Sequence, residues 1–168
     1  MSPEVEDLVS STVQRIRASG GQVVGLIGFS QGTKVVAGLL RGSEIRRALG
    51  LADGTEWCDF SFALSVCGSY PPPLFPPGIM KHISSEQKTA LLAAKIGTPA
   101  FHVQGAQDEW NWAGQGLIDK YYDVGEGKSE VVEWDMGHHY PVAAEESQRI
   151  GDWMVAQLKR DKEERAGR

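Results

Sequence analysis

Short continuous runs of apolar residues alternate along this chain with longer stretches in which apolar residues recur at helical spacing. The continuous runs contain many β-branched and aromatic residues, which favours buried strands. They lie at Val23–Phe29 and Phe60–Cys67. Two shorter strands, which mix apolar with polar residues, are predicted at Ala100–Gln104 and Ser129–Trp134. The helical spacing predicts helices at Ser2–Ala18, at 33–40, from a cap at 84–86 to Ile96, around Gly116–Tyr122 and at Ala143–Lys159.

Turn residues separate these elements. The predicted turns and breaks are at Gly20-Gly21, Arg41-Gly42-Ser43, Asp53-Gly54 and Gly125-Glu126-Gly127-Lys128. Because strand and helix alternate, right-handed crossovers predict an α/β fold, a parallel sheet of about four strands with helices on both faces. We expect one domain at 1–160 and a charged solvated tail at 161–168.

Composition excludes several classes of function. The chain has 168 residues and a net charge of -5, so it offers no basic surface for nucleic acid. Its N-terminus is acidic, unlike a signal peptide, and no apolar run approaches the ~18 residues of a membrane span, which predicts a cytoplasmic protein. Cys58 and Cys67 have no metal-ligand spacing and are expected to be reduced structural thiols. We expect no metal and no cofactor.

The first predicted strand runs directly into Gly28-Phe29-Ser30-Gln31-Gly32 and then into a helix. A Gly-x-Ser-x-Gly sequence between a buried strand and a helix is typical of a nucleophile elbow, in which the serine hydroxyl is exposed at a tight turn. We expect Gly28 and Gly32 to be required because side chains there would meet neighbouring elements. The N–H of Gln31 is the expected oxyanion donor.

Two more polar groups follow predicted strands. Asp108 follows the third strand and His138 the fourth, so both should meet Ser30 at the carboxyl edge of the sheet. The chain order of serine, acid and histidine is that of an α/β-hydrolase triad. In such a triad His138 would take the proton of Ser30 and Asp108 would orient the imidazole.

Other residues compete for these roles. His139 is a second candidate base, and it would otherwise contact substrate or lie in solvent. His102 lies within a strand, where a hydrogen-bonded core histidine is the favoured interpretation. Asp135 ranks below Asp108 because it is too close to His138 in sequence to orient it from the opposite side. The proline-rich segment 68–78 is predicted to be irregular, and Tyr70, Leu74 or Phe75 would line a pocket.

Three motifs together resemble the FSH family of serine hydrolases, which includes fungal esterases and thioesterases that release polyketides. They are Gly28-Phe29-Ser30-Gln31-Gly32, Gly105-Ala106-Gln107-Asp108-Glu109-Trp110 and Gly137-His138-His139-Tyr140-Pro141. The resemblance implies an α/β-hydrolase fold without a large cap domain, and it selects His138 as the base because the family places that residue three positions before the motif proline. It also implies an acyl or polyketide-like substrate, which we expect Phe29, Tyr70, Trp110 and His139 to contact.

The family also carries a strand, an oxyanion loop and a further strand and helix before the elbow, and these do not precede Val23 here. The resemblance therefore implies an N-terminally truncated α/β-hydrolase fold. The nucleophile strand would then be an apolar sheet edge, which predicts a homodimer or a partner chain covering it. Loss of a second oxyanion donor would weaken transition-state binding by about 2.7 to 4 kcal/mol.

Three functions remain open at this point. The first is hydrolysis of an ester or thioester through Ser30, Asp108 and His138. The second is a non-hydrolytic cyclase or isomerase of secondary metabolism that uses His138 or Asp108 as a base beside aromatic walls, which Trp112 would extend. The third is a non-catalytic assembly subunit or a gene fragment.

Overall fold

In the described part of the chain, four strands form one sheet. The computed structural model describes residues 1–52, 54–125 and 127–167, so Asp53 and Glu126 of the predicted turns and Arg168 of the predicted tail lie outside the described residues. The strands are β1 (Gly25–Phe29), β2 (Phe62–Val66), β3 (Ala100–Gly105) and β4 (Glu130–Trp134). They pair in parallel in the order β1-β2-β3-β4, which confirms the predicted sheet.

Helices connect and flank these strands. Within the described residues they are α1 (Pro3–Ala18), α2 (Gly32–Leu49), α3 (Pro77–Met80), α4 (Ser85–Ala93), α5 (Asn111–Tyr121) and α6 (Ala144–Ala166). None of the helices in this part of the chain combines the length and the apolar character that crossing a membrane requires.

The sheet carries a hydrophobic core on each face. The first core joins α2 to α1 and α5, and buries Val13, Leu39 and Leu117. The second core lies under α6, where the Trp153 ring packs against Phe62 and the ring centroids are 6.0 Å apart. Helices therefore lie on both faces of the sheet, as the alternation of strands and helices predicts.

Helix α2 is longer than the sequence predicts. It continues through Arg41, Gly42 and Ser43 instead of breaking there. A Cβ on Gly42 would lie 2.8 Å from the ring of Pro76, so the glycine allows close packing and does not interrupt the helix. The Ser43 hydroxyl donates to the carbonyl of Leu39 at 2.9 Å, which satisfies it within the helix.

The proline-rich segment after β2 is fixed against α2. The N–H of Leu74 donates to the carbonyl of Lys34 at 2.9 Å. A Cβ on Gly38 would lie 1.8 Å from the carbonyl oxygen of Leu74, so only glycine permits this approach. The contact holds the preceding residues, which include Tyr70, beside the start of α2.

The charged residues at the end of the chain belong to α6 and differ from the predicted solvated tail. Asp161 is buried, and its carboxylate accepts from Arg165 Nε at 2.7 Å and also from the Ser61 hydroxyl. Arg165 also reaches Asp59, at 3.2 Å. These groups line a polar cavity of about 120 Å³ beside residues that precede β2 and β3, at the amino edge of the sheet. Because they pair with one another, we interpret them as an anchor for α6.

Candidate active site

Ser30 occupies a strained turn between β1 and α2. Its φ angle is 50°, in the left-handed region that side chains other than glycine rarely adopt. Its N–H donates to the carbonyl of Val66 on β2 at 3.0 Å, and its carbonyl accepts from the Thr33 N–H at 3.0 Å. Strain of this kind at the turn between a strand and a helix is characteristic of a nucleophile elbow.

The two glycines of the elbow have different roles. A Cβ on Gly28 would lie 2.8 Å from Val36 Cγ2 and 2.9 Å from the carbonyl oxygen of Gly32, so Gly28 is required, as predicted. A Cβ on Gly32 would meet nothing within 4 Å. The prediction that Gly32 must lack a side chain is therefore wrong, because the first turn of α2 is open at this position.

Thr33 joins the elbow to the segment after β2. Its fully buried hydroxyl donates to the carbonyl of Ser30 at 2.6 Å and accepts from the N–H of Ser69 at 3.0 Å. The sequence interpretation missed this residue. A threonine in the first turn of a helix often bonds back to a carbonyl three residues earlier. This preference is the sequence signal that could have identified Thr33.

The start of α2 supplies donors near the serine. The N–H groups of Thr33 and Lys34 donate to the carbonyls of Ser30 and Gln31, respectively. In the described part of the chain, the N–H of Gln31 has no hydrogen-bond partner. The free N–H groups and the positive dipole end of a helix stabilise a developing negative charge. The position of Gln31 therefore suits the oxyanion role predicted for it.

Asp108 is held by the loops that follow β3 and β4. The N–H of Gln107 donates to the carbonyl of Met136 at 3.0 Å, which joins the two loops. The Asp108 side chain is 1% exposed, and its two oxygens contact the Trp110 N–H at 2.9 Å and His138 Nδ1 at 2.8 Å. Burial raises the pKa of the Asp108 carboxyl, but these hydrogen bonds and the His138 charge outweigh burial and leave the pKa below its usual value.

The orientation of the His138 ring is fixed from several sides. Because Nδ1 faces Asp108, Nε2 is the nitrogen left to exchange a proton with a substrate or with Ser30. The Phe29 ring lies against the imidazole, with the ring centroids 5.0 Å apart. The Cys67 thiol donates to the carbonyl of Gly137 at 3.6 Å, which anchors the loop that carries His138.

Cys67, Asp108 and His138 also form a group of possible metal ligands, since their donor atoms lie within 4.8 Å of one another. Burial and the nearby Asp108 carboxylate raise the pKa of the Cys67 thiol to about 11. A thiol with this pKa stays protonated at neutral pH, and the carbonyls of Gly137 and His139 are both within reach of its single proton, at 3.6 and 3.5 Å. We therefore interpret these three side chains as a hydrogen-bonded cluster and not as metal ligands.

Ser30 and His138 face the same cavity, which has a volume of about 300 Å³. The residues lining it are Ser30, Gln31, Gly68, Ser69, Tyr70, Trp110, Ala113 and His138. Within the described residues, the Ser30 hydroxyl forms no hydrogen bond to the imidazole. Such bonds are commonly long before substrate binds. The structure thus brings the serine, the imidazole and the carboxylate to one edge of the sheet.

An aromatic wall stands at the mouth of this cavity. It consists of Tyr70, Trp110 and Trp112, whose exposed fractions are 54%, 49% and 63%. Tyr70 and Trp112 are stacked at 6.4 Å between ring centroids, with 17° between the ring planes. The ammonium of Lys34 lies 5.0 Å from the centroid of Tyr70. Large aromatic surfaces left open beside a cavity mark a binding site.

The other residues predicted to contact substrate, or considered as the base or the acid, do not line the cavity. Phe29 does not line the cavity and instead packs between His138 and Tyr140. His139 is exposed, and its Nδ1 contacts the carbonyl of Tyr140 at 2.7 Å. Asp135 is exposed and accepts from Gln107 Nε2 at 2.6 Å. Neither His139 nor Asp135 occupies the position of the base or the acid.

His102 is buried beside Tyr122 of the first core, and its environment differs from the hydrogen-bonded one predicted. Neither ring nitrogen has a hydrogen-bond partner in the described part of the chain, nor does the Tyr122 hydroxyl. The two rings meet edge to face at 4.3 Å between centroids. Burial lowers the pKa of His102 to about 3, so the ring is neutral in the folded protein.

Comparison with known proteins identifies the family. The sequence model described as "Serine hydrolase (FSH1)" matches residues 3–150. The chain belongs to this family. The match includes Ser30, Asp108 and His138, so the resemblance expected from the three motifs is confirmed at the level of the family.

Relatives in this family include fungal enzymes. The chain is 31% identical to "Probable esterase TOX9" of Cochliobolus heterostrophus, over 82% of this chain and 59% of that protein. It is 28% identical to "Esterase pigG" of Monascus ruber, over 75% of this chain and 51% of that protein. It is 23% identical to "Thioesterase FSL2" of Gibberella zeae, over 90% of this chain and 58% of that protein. The chain therefore spans between half and three fifths of the length of these relatives.

A solved structure supports the fold. The Zea mays acyl-protein thioesterase 2 superimposes with a TM-score of 0.55 over 93% of this chain and 66% of that one, at 17% identity. At this identity the likeness shows the fold alone, an α/β-hydrolase sheet.

Proposed function

We propose that this protein is a serine hydrolase that cleaves an ester or thioester of an acyl substrate. The observation that supports the proposal best is the 2.8 Å contact between His138 Nδ1 and Asp108 beside the cavity that Ser30 shares. Orientation of the imidazole by a buried carboxylate, beside a cavity shared with a serine on an elbow, is an arrangement that suits acyl transfer. Membership in the serine hydrolase family supports the same chemistry.

The proposed reaction has two halves. In the first, His138 Nε2 takes the proton of Ser30 as its oxygen attacks the acyl carbonyl, and the negative oxygen is stabilised by the N–H of Gln31. The protonated imidazole then donates to the leaving alkoxide or thiolate, so that an acyl-enzyme and an alcohol or thiol are formed. In the second, His138 takes a proton from water, the hydroxide attacks the acyl-enzyme, and the proton returns to Ser30 as the acid leaves.

Asp108 assists both halves without exchanging a proton. Its carboxylate fixes the proton of the imidazole on Nδ1 and stabilises the imidazolium that forms after each attack. The lowered pKa of the Asp108 carboxyl keeps this residue charged throughout the neutral range. Among the described residues we assign one oxyanion donor, the N–H of Gln31.

The aromatic wall suggests the class of acyl group. Tyr70 and Trp110 line the cavity together with Ser30, and Trp112 stacks on Tyr70 at its mouth. Rings favour stacking on planar, unsaturated groups over contact with flexible alkyl chains. We therefore propose a planar, unsaturated acyl group such as that of a polyketide-like intermediate, and relatives named as esterases and a thioesterase are consistent with either leaving group.

Hydrolysis of defined esters tests the proposal. The wild type is expected to hydrolyse p-nitrophenyl cinnamate and a cinnamoyl thioester, and to prefer them to the acetyl analogues by at least about tenfold in kcat/KM. Ser30→Ala should remove this activity, because no other group forms the acyl-enzyme. Hydrolysis that persists unchanged in the folded Ser30→Ala protein would overturn the proposal.

A cyclase or isomerase is the alternative function, and the same variants distinguish it. If Ser30→Ala kept the ability to convert a polyketide-like substrate while His138→Ala lost it, the base would act without a nucleophile. The aromatic wall beside His138 is the observation that favours testing this alternative.

A further inference from the structure

Lys34 places a positive charge at the mouth of the cavity that contains Ser30. It lies in the first turn of α2, four residues after Ser30. Its ammonium lies 5.0 Å from the ring centroid of Tyr70, and Tyr70 lines the cavity. Tyr70 in turn stacks on Trp112 of α5. Lys34 therefore belongs to the part of the cavity mouth that is formed by the segments after β2 and β3.

The charge of Lys34 is not neutralised by a neighbouring acid. In the described part of the chain, its ammonium forms no ion pair with a carboxylate. Ion pairs along a helix join residues three or four positions apart. The residues at these distances from Lys34 are uncharged, and they are Ser30, Gln31, Ala37 and Gly38. The contact that the ammonium makes is with the π face of Tyr70, which leaves it able to bind an anion.

The cavity itself favours a negatively charged ligand. Within the described residues, its lining contains no carboxylate. The Asp108 side chain is 1% exposed, and its oxygens are bonded to the Trp110 N–H and to His138. Glu109 is exposed but does not line the cavity. The net charge of the chain is -5, so a cavity that has a cation at its mouth and no acid in its lining is electrostatically distinct from the protein as a whole.

We propose that Lys34 selects substrates that carry a negatively charged group, such as a carboxylate, in addition to the ester or thioester that is cleaved. This inference rests on the proposed hydrolase function and adds a substrate class to it. The charged group belongs either to the acyl part or to the leaving group, and it pairs with the ammonium while the reacting carbonyl lies at Ser30. The Tyr70 face holds the ammonium beside the cavity before substrate binds, which lowers the entropy lost when the ion pair forms.

The ratio of kcat/KM values for a charged and a neutral substrate tests this selection. The p-nitrophenyl esters of 4-carboxycinnamate and cinnamate differ by one carboxylate on the acyl group. The cinnamoyl thioesters of 3-mercaptopropionate and N-acetylcysteamine differ by one carboxylate on the leaving group. The wild type should prefer the charged member of at least one pair by about threefold to tenfold at low ionic strength, and added salt should reduce this preference. The pair that responds identifies the part of the substrate that carries the charge.

Variants of Lys34 show whether the ammonium causes the preference. Lys34→Met should abolish it, since methionine keeps an apolar stem over Tyr70 and removes the charge. Lys34→Arg keeps the charge and should keep the preference. Lys120→Met is the matched control, because the Lys120 ammonium lies 5.4 Å from the ring centroid of Tyr121 and neither residue lines the cavity. This control should show the preference of the wild type. An equal preference in the wild type and in folded Lys34→Met would overturn the proposal.

Binding to Ser30→Ala separates this inference from the proposed hydrolysis. The probes are cinnamamide, 4-carboxycinnamamide and N-(2-carboxyethyl)cinnamamide, which carry the charge at neither end, on the acyl part and on the leaving-group side. Isothermal titration calorimetry should find that at least one charged amide binds about threefold to tenfold more tightly than cinnamamide, and that Lys34→Met in the same protein removes the difference. If this result is found in a protein that hydrolyses no ester, the proposed function fails and the inference about Lys34 is retained. If neither charged amide binds more tightly, the inference fails even where Ser30 hydrolyses esters.

Discussion

Replacement of Asp108 by Asn is expected to lower kcat by about 10⁴-fold with little change in KM. An amide at this position accepts a hydrogen bond less well and cannot stabilise an imidazolium. It can also donate to Nδ1, which places the imidazole proton on Nε2 and leaves no base facing Ser30. KM should change little because the Asp108 side chain is 1% exposed and does not line the cavity. Steady-state kinetics with p-nitrophenyl cinnamate measure both constants.

Asp135→Asn is the matched control for this variant. Asp135 belongs to the neighbouring loop, is exposed and contacts Gln107, so the same change of carboxylate to amide should leave kcat within about twofold. Equal losses in the two variants would contradict the assignment of Asp108, because they would indicate a general effect of charge. An unchanged kcat in Asp108→Asn would contradict it directly.

The second large effect concerns stability in acid. Lowering the pH from 6.5 to 4.5 is expected to reduce the free energy of unfolding by about 2 to 3 kcal/mol through His102. Burial lowers the pKa of His102 to about 3 in the folded protein, whereas the unfolded side chain titrates near 6.5. The unfolded state therefore binds the proton first, and stability is lost as the pH falls below about 6.5. Urea unfolding at a series of pH values measures the slope.

His102→Leu should remove this dependence. The apolar side chain takes no proton and leaves no unpartnered nitrogen beside Tyr122, so the variant should lose less stability than the wild type between pH 6.5 and 4.5. Asp59 and Asp108 do not interfere in this range. Their pKa values are lowered in the folded protein, so the stability that these two carboxylates contribute is lost only as the pH falls below the usual carboxyl pKa. Parallel stability curves for wild type and variant would contradict the assignment to His102.

Much of the fold and the candidate site could be predicted from sequence because strong local patterns determine them. The four strands predicted from the sequence are present in the sheet, and parallel pairing brings their carboxyl ends to one edge. Ser30 directly follows β1, and Asp108 and His138 lie in the loops that follow β3 and β4, so predicting the strands also placed these residues. The turn at Ser30 was predictable from Gly28, whose missing side chain allows α2 to approach β1.

Other features depended on contacts between distant segments and could not be read from local sequence. Gly42 looked like a helix breaker, but it is a packing position against Pro76. The charged end of the chain looked solvated, but Asp161 and Arg165 meet residues about 100 positions earlier. Local sequence also does not determine where a side chain points. For this reason Phe29 was expected in the cavity, whereas it packs against His138.

Covalent labelling with a fluorophosphonate tests the central claim, that Ser30 is a nucleophile activated by His138 and Asp108. The probe forms a bond from an activated serine oxygen to phosphorus and releases fluoride, so it reports activation without any assumption about substrate. Peptide mass spectrometry of the wild type should find one adduct, on Ser30, with none in Ser30→Ala and much slower labelling in Asp108→Asn. A folded wild type that remains unlabelled, or that is labelled at the same rate in Asp108→Asn, would contradict the account.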